Sequence, residues 1–174
     1  MKFIIYFFLT LQVVFAQYTT PNLGVSWTPD SLVANSTGTV TGSFPNYTIN
    51  ALVTVSASDK ITVLPGSIIH FTSPTAGFET NGVFSAVGTE QNIITFTSST
   101  PDSTGAYMGF RFNDTSIDSL CKIKFTKIEY AYYGLRCVDA SPSLENNYLY
   151  KCRRGVNLSS SSPLISGNKI ERSY

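Results

Sequence analysis

A 21-residue spacing in the last third of the chain constrains its fold more than any other feature. Displacing the sequence by 21 positions sets Gly134 on Gly155, Leu135 on Val156 and Cys137 on Leu158. Ser141-Pro142 falls on Ser162-Pro163, Leu144 on Ile165, Asn147 on Asn168 and Leu149 on Ile170. One period earlier, Ile123 and Ile128 lie under Leu144 and Leu149. Apolar positions meet apolar positions, and an asparagine meets an asparagine. A unit this short cannot bury its own apolar face, so it must stack on a neighbour. The spacing predicts a solenoid whose coils superpose residue on residue. Asn147 and Asn168 would then form an internal ladder, because an unpaired amide inside the stack would be costly.

Upstream the pattern is that of short strands. Leu52-Val-Thr-Val, Ile61-Thr-Val, Val83-Phe-Ser-Ala-Val, Ile93-Ile-Thr-Phe and Phe110-Arg-Phe alternate in the manner of half-buried strands. Pro65-Gly66, Asn81-Gly82, Val87-Gly88 and Pro101-Asp102 punctuate them as turns. No window of ten residues carries a helical stripe, so the expected class is all-β. Residues 17–46, with the single tryptophan Trp27 and little periodicity, read as a lead-in or N-terminal cap. Residues 47–174 read as the repeat region.

The order of these segments resembles the right-handed parallel β-helix repeat proteins of the pectin-lyase-like group. The resemblance rests on Ile61-Thr-Val-Leu-Pro-Gly-Ser, Gly82-Val-Phe-Ser-Ala-Val-Gly-Thr-Glu and Ile93-Ile-Thr-Phe-Thr-Ser-Ser. Gly109-Phe-Arg-Phe, Ile128-Glu-Tyr-Ala-Tyr-Tyr-Gly and the repeated Ser-Pro-x-Leu/Ile-x-x-Asn turn follow. It implies a right-handed parallel β-helix. It does not select an activity, since the group includes lyases, hydrolases, adhesins and surface stalks.

Residues 1–16, MKFIIYFFLTLQVVFA, place Lys2 before an apolar run, with Val14 and Ala16 suited to a cleavage site. They read as a secretory signal peptide with Gln17 the expected mature N-terminus. The run falls short of the roughly 20 residues of a membrane span. No membrane span is therefore expected after cleavage, and the localisation is secreted or extracellular surface. Secretion makes Asn35, Asn46, Asn113 and Asn157 candidate N-glycosylation sites, each heading an Asn-x-Ser/Thr sequon. Cys121, Cys137 and Cys152 allow at most one internal disulfide. The mature 158 residues, at 21–25 per turn, make six or seven rungs including the lead-in. The next repeat glycine would fall at 176, past Tyr174. The expectation is thus a solenoid incomplete at its C-terminus, continued by further chain or capped by a partner.

Catalytic patterns are sparse. No two acidic residues are adjacent, and Asp114 and Asp118 form the nearest pair, in an expected loop. The lone His70 lies in Ile68-Ile-His-Phe, where a strand role is expected. No Cys-x-x-Cys or His pair suggests a metal ligand set, and no cofactor is expected. Cys137 shares its position with Leu158 and reads as a small core hydrophobe. Thr95-Phe-Thr does not recur at the period, which argues against the threonine columns of an ice-binding face.

The outer surface is more informative. A net charge of +1 argues against a nucleic-acid partner. It hides an asymmetry: residues 17–120 carry 2 basic and 7 acidic side chains, residues 121–174 carry 9 and 4. The register predicts one column of Lys127, Tyr148 and Lys169 and a second of Glu129, Tyr150 and Glu171. Lys127, Tyr148, Tyr150, Arg153, Arg154 and Lys169 are candidate glycan-binding residues, rings offering stacking and cations offering hydrogen bonds. The expected function is a secreted, non-catalytic scaffold or adhesin-type module. Its partner would be an extracellular polysaccharide or a cell-surface molecule. The alternative is a polysaccharide-binding or pectate-lyase-like degrading protein whose active region lies outside this segment.

Overall fold

The computed structural model describes residues 16–101 and 103–173. The signal-peptide reading therefore falls, except for Ala16, outside the described residues. The chain first lays down β1 (Tyr18–Thr19), β2 (Ser26–Trp27), α1 (Pro29–Asn35) and β3 (Val40–Ser43). Five coils of three strands follow. They are β4 (Asn46–Ile49), β5 (Leu52–Val55), β6 (Lys60–Val63); then β7 (Ile68–Phe71), β8 (Gly77–Thr80), β9 (Val83–Val87). Next come β10 (Ile94–Ser98), β11 (Tyr107–Phe112), β12 (Lys122–Lys124), then β13 (Thr126–Glu129), β14 (Ala131–Val138), β15 (Ser143–Glu145). The fifth coil is β16 (Tyr148–Tyr150), β17 (Arg154–Ser159), β18 (Leu164–Ser166), and β19 (Lys169–Glu171) opens a partial layer beyond it.

Each third strand joins the same sheet, so three sheets run the length of a β-solenoid. The first is β1-β5-β8-β11-β14-β17, the second β3-β4-β7-β10-β13-β16-β19, the third β2-β6-β9-β12-β15-β18. All pairings are parallel except the β3–β4 hairpin. The all-β expectation holds, with one short helix added. Thr28 caps that helix reciprocally with Ser31, and Pro29 occupies its first turn. Thr28-Pro29-Asp30-Ser31 is a helix-start signal, too short-lived to carry an amphipathic stripe.

The 21-residue register is the register of the last coils. Leu135 pairs with Val156, Leu144 with Ile165, and Ile128 with Leu149, which pairs with Ile170. Earlier coils are longer. Asn46 pairs with Ile68 at a separation of 22, Ile68 with Thr95 at 27, and Thr95 with Lys127 at 32. Loops inserted at the corners lengthen them while the strands stay in step. That is why the described chain makes five full coils with a partial layer at each end.

The core is a column of inward side chains. Phe71 stacks on Tyr107 at 4.1 Å, and Phe78, Phe84, Phe96 and Phe110 meet at 4.7–5.9 Å. Ile123, Leu144 and Ile128, Leu149 continue the stack, all fully buried. Truncating one such phenylalanine would cost about 3–5 kcal/mol. Cys121, Cys137 and Cys152 are free and buried in this core. Toward the last layer the same columns end in Leu158, Ile165 and Ile170, each more than 40% exposed.

Candidate functional site

The corners of the last coils follow a rule of their own. Single left-handed residues turn the chain from the second sheet into the first at Tyr130 and Lys151, with φ of 64° and 49°, and Arg172, which follows β19, takes the same conformation with φ of 51°. Phe125, Asn146 and Gly167 do the same between the third and second sheets. Gly167 is the only glycine among them, and a Cβ there would press on the Asn146 side chain. Non-glycine residues in this conformation cost about 1 kcal/mol each. At the Tyr130 corner every such residue is an aromatic or a cation.

The next strand adds to that corner. The pairing of β11 with β14 slips between Gly109 and Arg111, so β14 carries one residue more than its neighbour. This bulge breaks the in–out alternation: Tyr132 and Tyr133 are both partly exposed, while Gly134 and Leu135 are both buried. Gly109 makes room for it, with φ +92° and the Tyr133 carbonyl lying where a Cβ would stand. Arg153 and Arg154 stand on the following coil, Arg154 opposite Tyr133.

Cations cover the rings. The Arg153 guanidinium lies 4.8 Å from the Tyr132 centroid. Arg136 and Arg154 flank Tyr133 at 5.1 and 5.7 Å. The Lys151 ammonium sits between Tyr130 and Tyr150 at 5.7 and 5.6 Å, and Arg172 lies 5.9 Å from Tyr150. Each contact contributes about 0.5–1 kcal/mol at an exposed site. Among the described residues, none of these five cations has a carboxylate within 4.0 Å.

The lysine column differs. Lys127 stands on Tyr148, and Tyr148 on Lys169, as the spacing requires. Both lysines are occupied: Lys127 pairs with Glu129 at 2.7 Å and Lys169 with Glu171 at 2.8 Å. The Tyr148 hydroxyl donates to Glu171 at 3.1 Å. The Lys169 and Tyr148 hydrogen bonds hold the Glu171 carboxyl below the usual carboxylate range. Of the six sequence candidates, Tyr150, Arg153 and Arg154 join the corner whose cations are not ion-paired. Lys127, Tyr148 and Lys169 form a neutralised column beside it. Lys-x-Glu at 127–129 and 169–171 was the signal for this, because residues two apart share a strand face. Sequence reasoning missed Tyr130, Tyr132, Tyr133, Arg136, Lys151 and Arg172, whose direction depends on corner and bulge geometry.

The remaining candidates are dispersed. Asn147 and Asn168 are bonded to each other at 2.8 Å inside the stack. Asn35, ending α1, donates to the Ser31 carbonyl, and Asn46 is exposed at the start of β4. The Asn113 amide is already bonded to Glu79 and Asn81. Asn157 is half-buried on β17 beside Arg136. His70 lies on β7 between Thr48 and Thr97. Among the described residues no group of three or more His, Cys, Asp or Glu side chains is placed to hold a metal ion. No described helix is long and apolar enough to cross a membrane.

The fold and this corner together define a β-solenoid that carries a basic aromatic edge. No family model, curated protein or solved structure matches the chain.

Proposed function

We propose that this chain is a secreted, non-catalytic scaffold of the adhesin type, whose work is done by its outer surface. The observation that carries the reading is the basic aromatic corner. Five cations are presented on tyrosine rings, and among the described residues none of them has a carboxylate within 4.0 Å. Such an arrangement holds a partner in place. A hydrolytic or eliminative step needs paired carboxylates or a poised base aimed at one point. The solenoid supports a scaffold role in another way. Its inward residues are packed coil on coil, which gives a stiff rod with every outward position repeated at strand spacing, about 4.8 Å.

A second reading is a pectate-lyase-like protein whose active region lies outside this segment. It is supported by the parallel three-sheet coil and the segment order quoted above. Both readings are tested by expressing the chain with its leader in a secreting host. The expected result is a product in the medium beginning at Gln17 that leaves the chain length of acidic and neutral polysaccharides unchanged. Shortened polymer would overturn both readings, since neither places an active region within this segment, and retention inside the cell would remove the first.

A further inference from the structure

We infer that the corner formed by Tyr130, Tyr132, Lys151, Arg153 and Arg154 is a binding site for a flexible polysaccharide bearing oxyanions, carboxylate or sulfate. The inference rests on the extracellular reading above for the nature of its partner.

The rings do not offer free faces to a sugar. Tyr132 is covered by Arg153, and Tyr133 is flanked by Arg136 and Arg154. A ring under a guanidinium holds the planar fork in place and leaves its N–H edge to the solvent. Less side-chain freedom is then lost when an anion binds. The recognised group is therefore an oxyanion, which a guanidinium can meet with two parallel N–H bonds. The Arg136 Nη1 also donates to the Tyr133 hydroxyl at 3.4 Å, a further restraint on the pair. Arg153 and Arg154 are the exposed members and make the first contact.

The neighbourhood limits the partner's shape. Directly below Arg136 in the register, Arg111 is already paired with Glu79 at 3.3 Å. Residues 17–120, which build the first coils, hold 7 acidic against 2 basic side chains. Positive charge is thus concentrated in the later coils, where residues 121–174 carry 9 basic against 4 acidic side chains. A rigid duplex laid along the rod would meet the acidic half, whereas a flexible chain can cross the corner alone.

The test measures binding of the mature chain to a polyuronate, a sulfated glycan, a neutral glucan and duplex DNA. Binding to either anionic glycan, weakening as salt rises and absent with the glucan, is the expected result. The polyuronate and sulfated arms tell carboxylate from sulfate. The exposed pair Arg153→Ala with Arg154→Ala should lower affinity about ten-fold or more. The pair Lys127→Ala with Lys169→Ala should leave it within about two-fold, since those lysines are already paired. No binding to either anionic glycan overturns the inference, as does an equal loss in the lysine pair or tighter binding to DNA. A protein that is secreted and inert but binds nothing defeats this inference and leaves the scaffold reading standing. One that binds through Arg153 and Arg154 and also cleaves the polymer does the reverse.

Discussion

Asn147 shows how much one side chain can join in a stack of coils. Its Oδ1 accepts from the Thr126 amide and hydroxyl, both at 2.9 Å. Its Nδ2 donates to the Ile123 carbonyl at 2.9 Å and to Asn168 Oδ1 at 2.8 Å. Its own backbone N–H also reaches Asn168 Oδ1. Three layers are thus tied through a residue only 3% exposed. Replacing it with alanine would leave several buried groups unpaired, each costing about 1–3 kcal/mol. Asn147→Ala is expected to lose about 3 kcal/mol, read as a lower urea midpoint at unchanged slope. A loss below about 1 kcal/mol would show that water replaces the ladder. The ladder's third rung, Thr126, carries a hydroxyl in place of an amide, so matching asparagines along the sequence does not find it.

At the scale of elements, the N-terminal layer covers what would otherwise be an open solenoid end. β1 lies on β5, β2 on β6, and β3 on β4. Trp27 closes over the core with Tyr18 edge-on at 6.0 Å. The layer is fastened by one buried carboxylate, Asp59. It accepts from the backbone N–H groups of Asn22, Leu23 and Val25 at 2.8, 3.1 and 2.9 Å. Burial alone would raise the Asp59 carboxyl, but bonds from the Thr20 side chain and those amides outweigh it and hold the group below its usual value. A carboxyl with a lower pKa folded than unfolded stabilises above the unfolded value and loses that effect as pH falls through the folded one. The layer should therefore loosen below about pH 4. Asp59→Asn is expected to reproduce the effect at neutral pH. Hydrogen exchange should then quicken in residues 18–27 while β14 and β16 keep their protection. Equal exchange in variant and parent would mean that packing of Trp27, not the carboxylate, holds the layer.

At the scale of the whole molecule, the buried thiols report on the stack. Burial pushes Cys137 up to about 12 and Cys152 up to about 11, and raises Cys121. An unfolded thiol ionises near 8.5. Between that value and the folded ones, the unfolded chain has lost protons that the native chain keeps. Stability is thus complete below about pH 8.5 and falls as pH rises through the alkaline range. The thiols should resist a disulfide reagent at pH 8 and react together when the coils open. The pair Cys137→Ala with Cys152→Ala should flatten the fall in stability between pH 7 and pH 10, measured by denaturant unfolding. An unchanged fall would point to Cys121, the remaining thiol that burial raises; Tyr47, which burial first and the Asp30 hydrogen bond second raise to about 12, acts only above about pH 10.

The columns of the last coils were legible in the sequence because an equal spacing repeats wherever strands stay in step. Lys127, Tyr148 and Lys169 stack for that reason. The alternating runs likewise marked strands such as β5 and β9 at their true bounds. The 27- and 32-residue coils left no period to read, since the inserted loops differ in length. The candidate site was half legible. Tyr150, Arg153 and Arg154 could be named from composition and position. Tyr130, Lys151 and Arg172 face outward only because their backbones turn left-handed, and Tyr132 and Tyr133 only because β14 slips against β11. The sequence by itself determined that coils stack and which side chains fill them, since burial of apolar positions repeats locally. Only the tertiary structure decided where unpaired charge gathers, because a corner's hand and a bulge's place depend on the neighbouring coil.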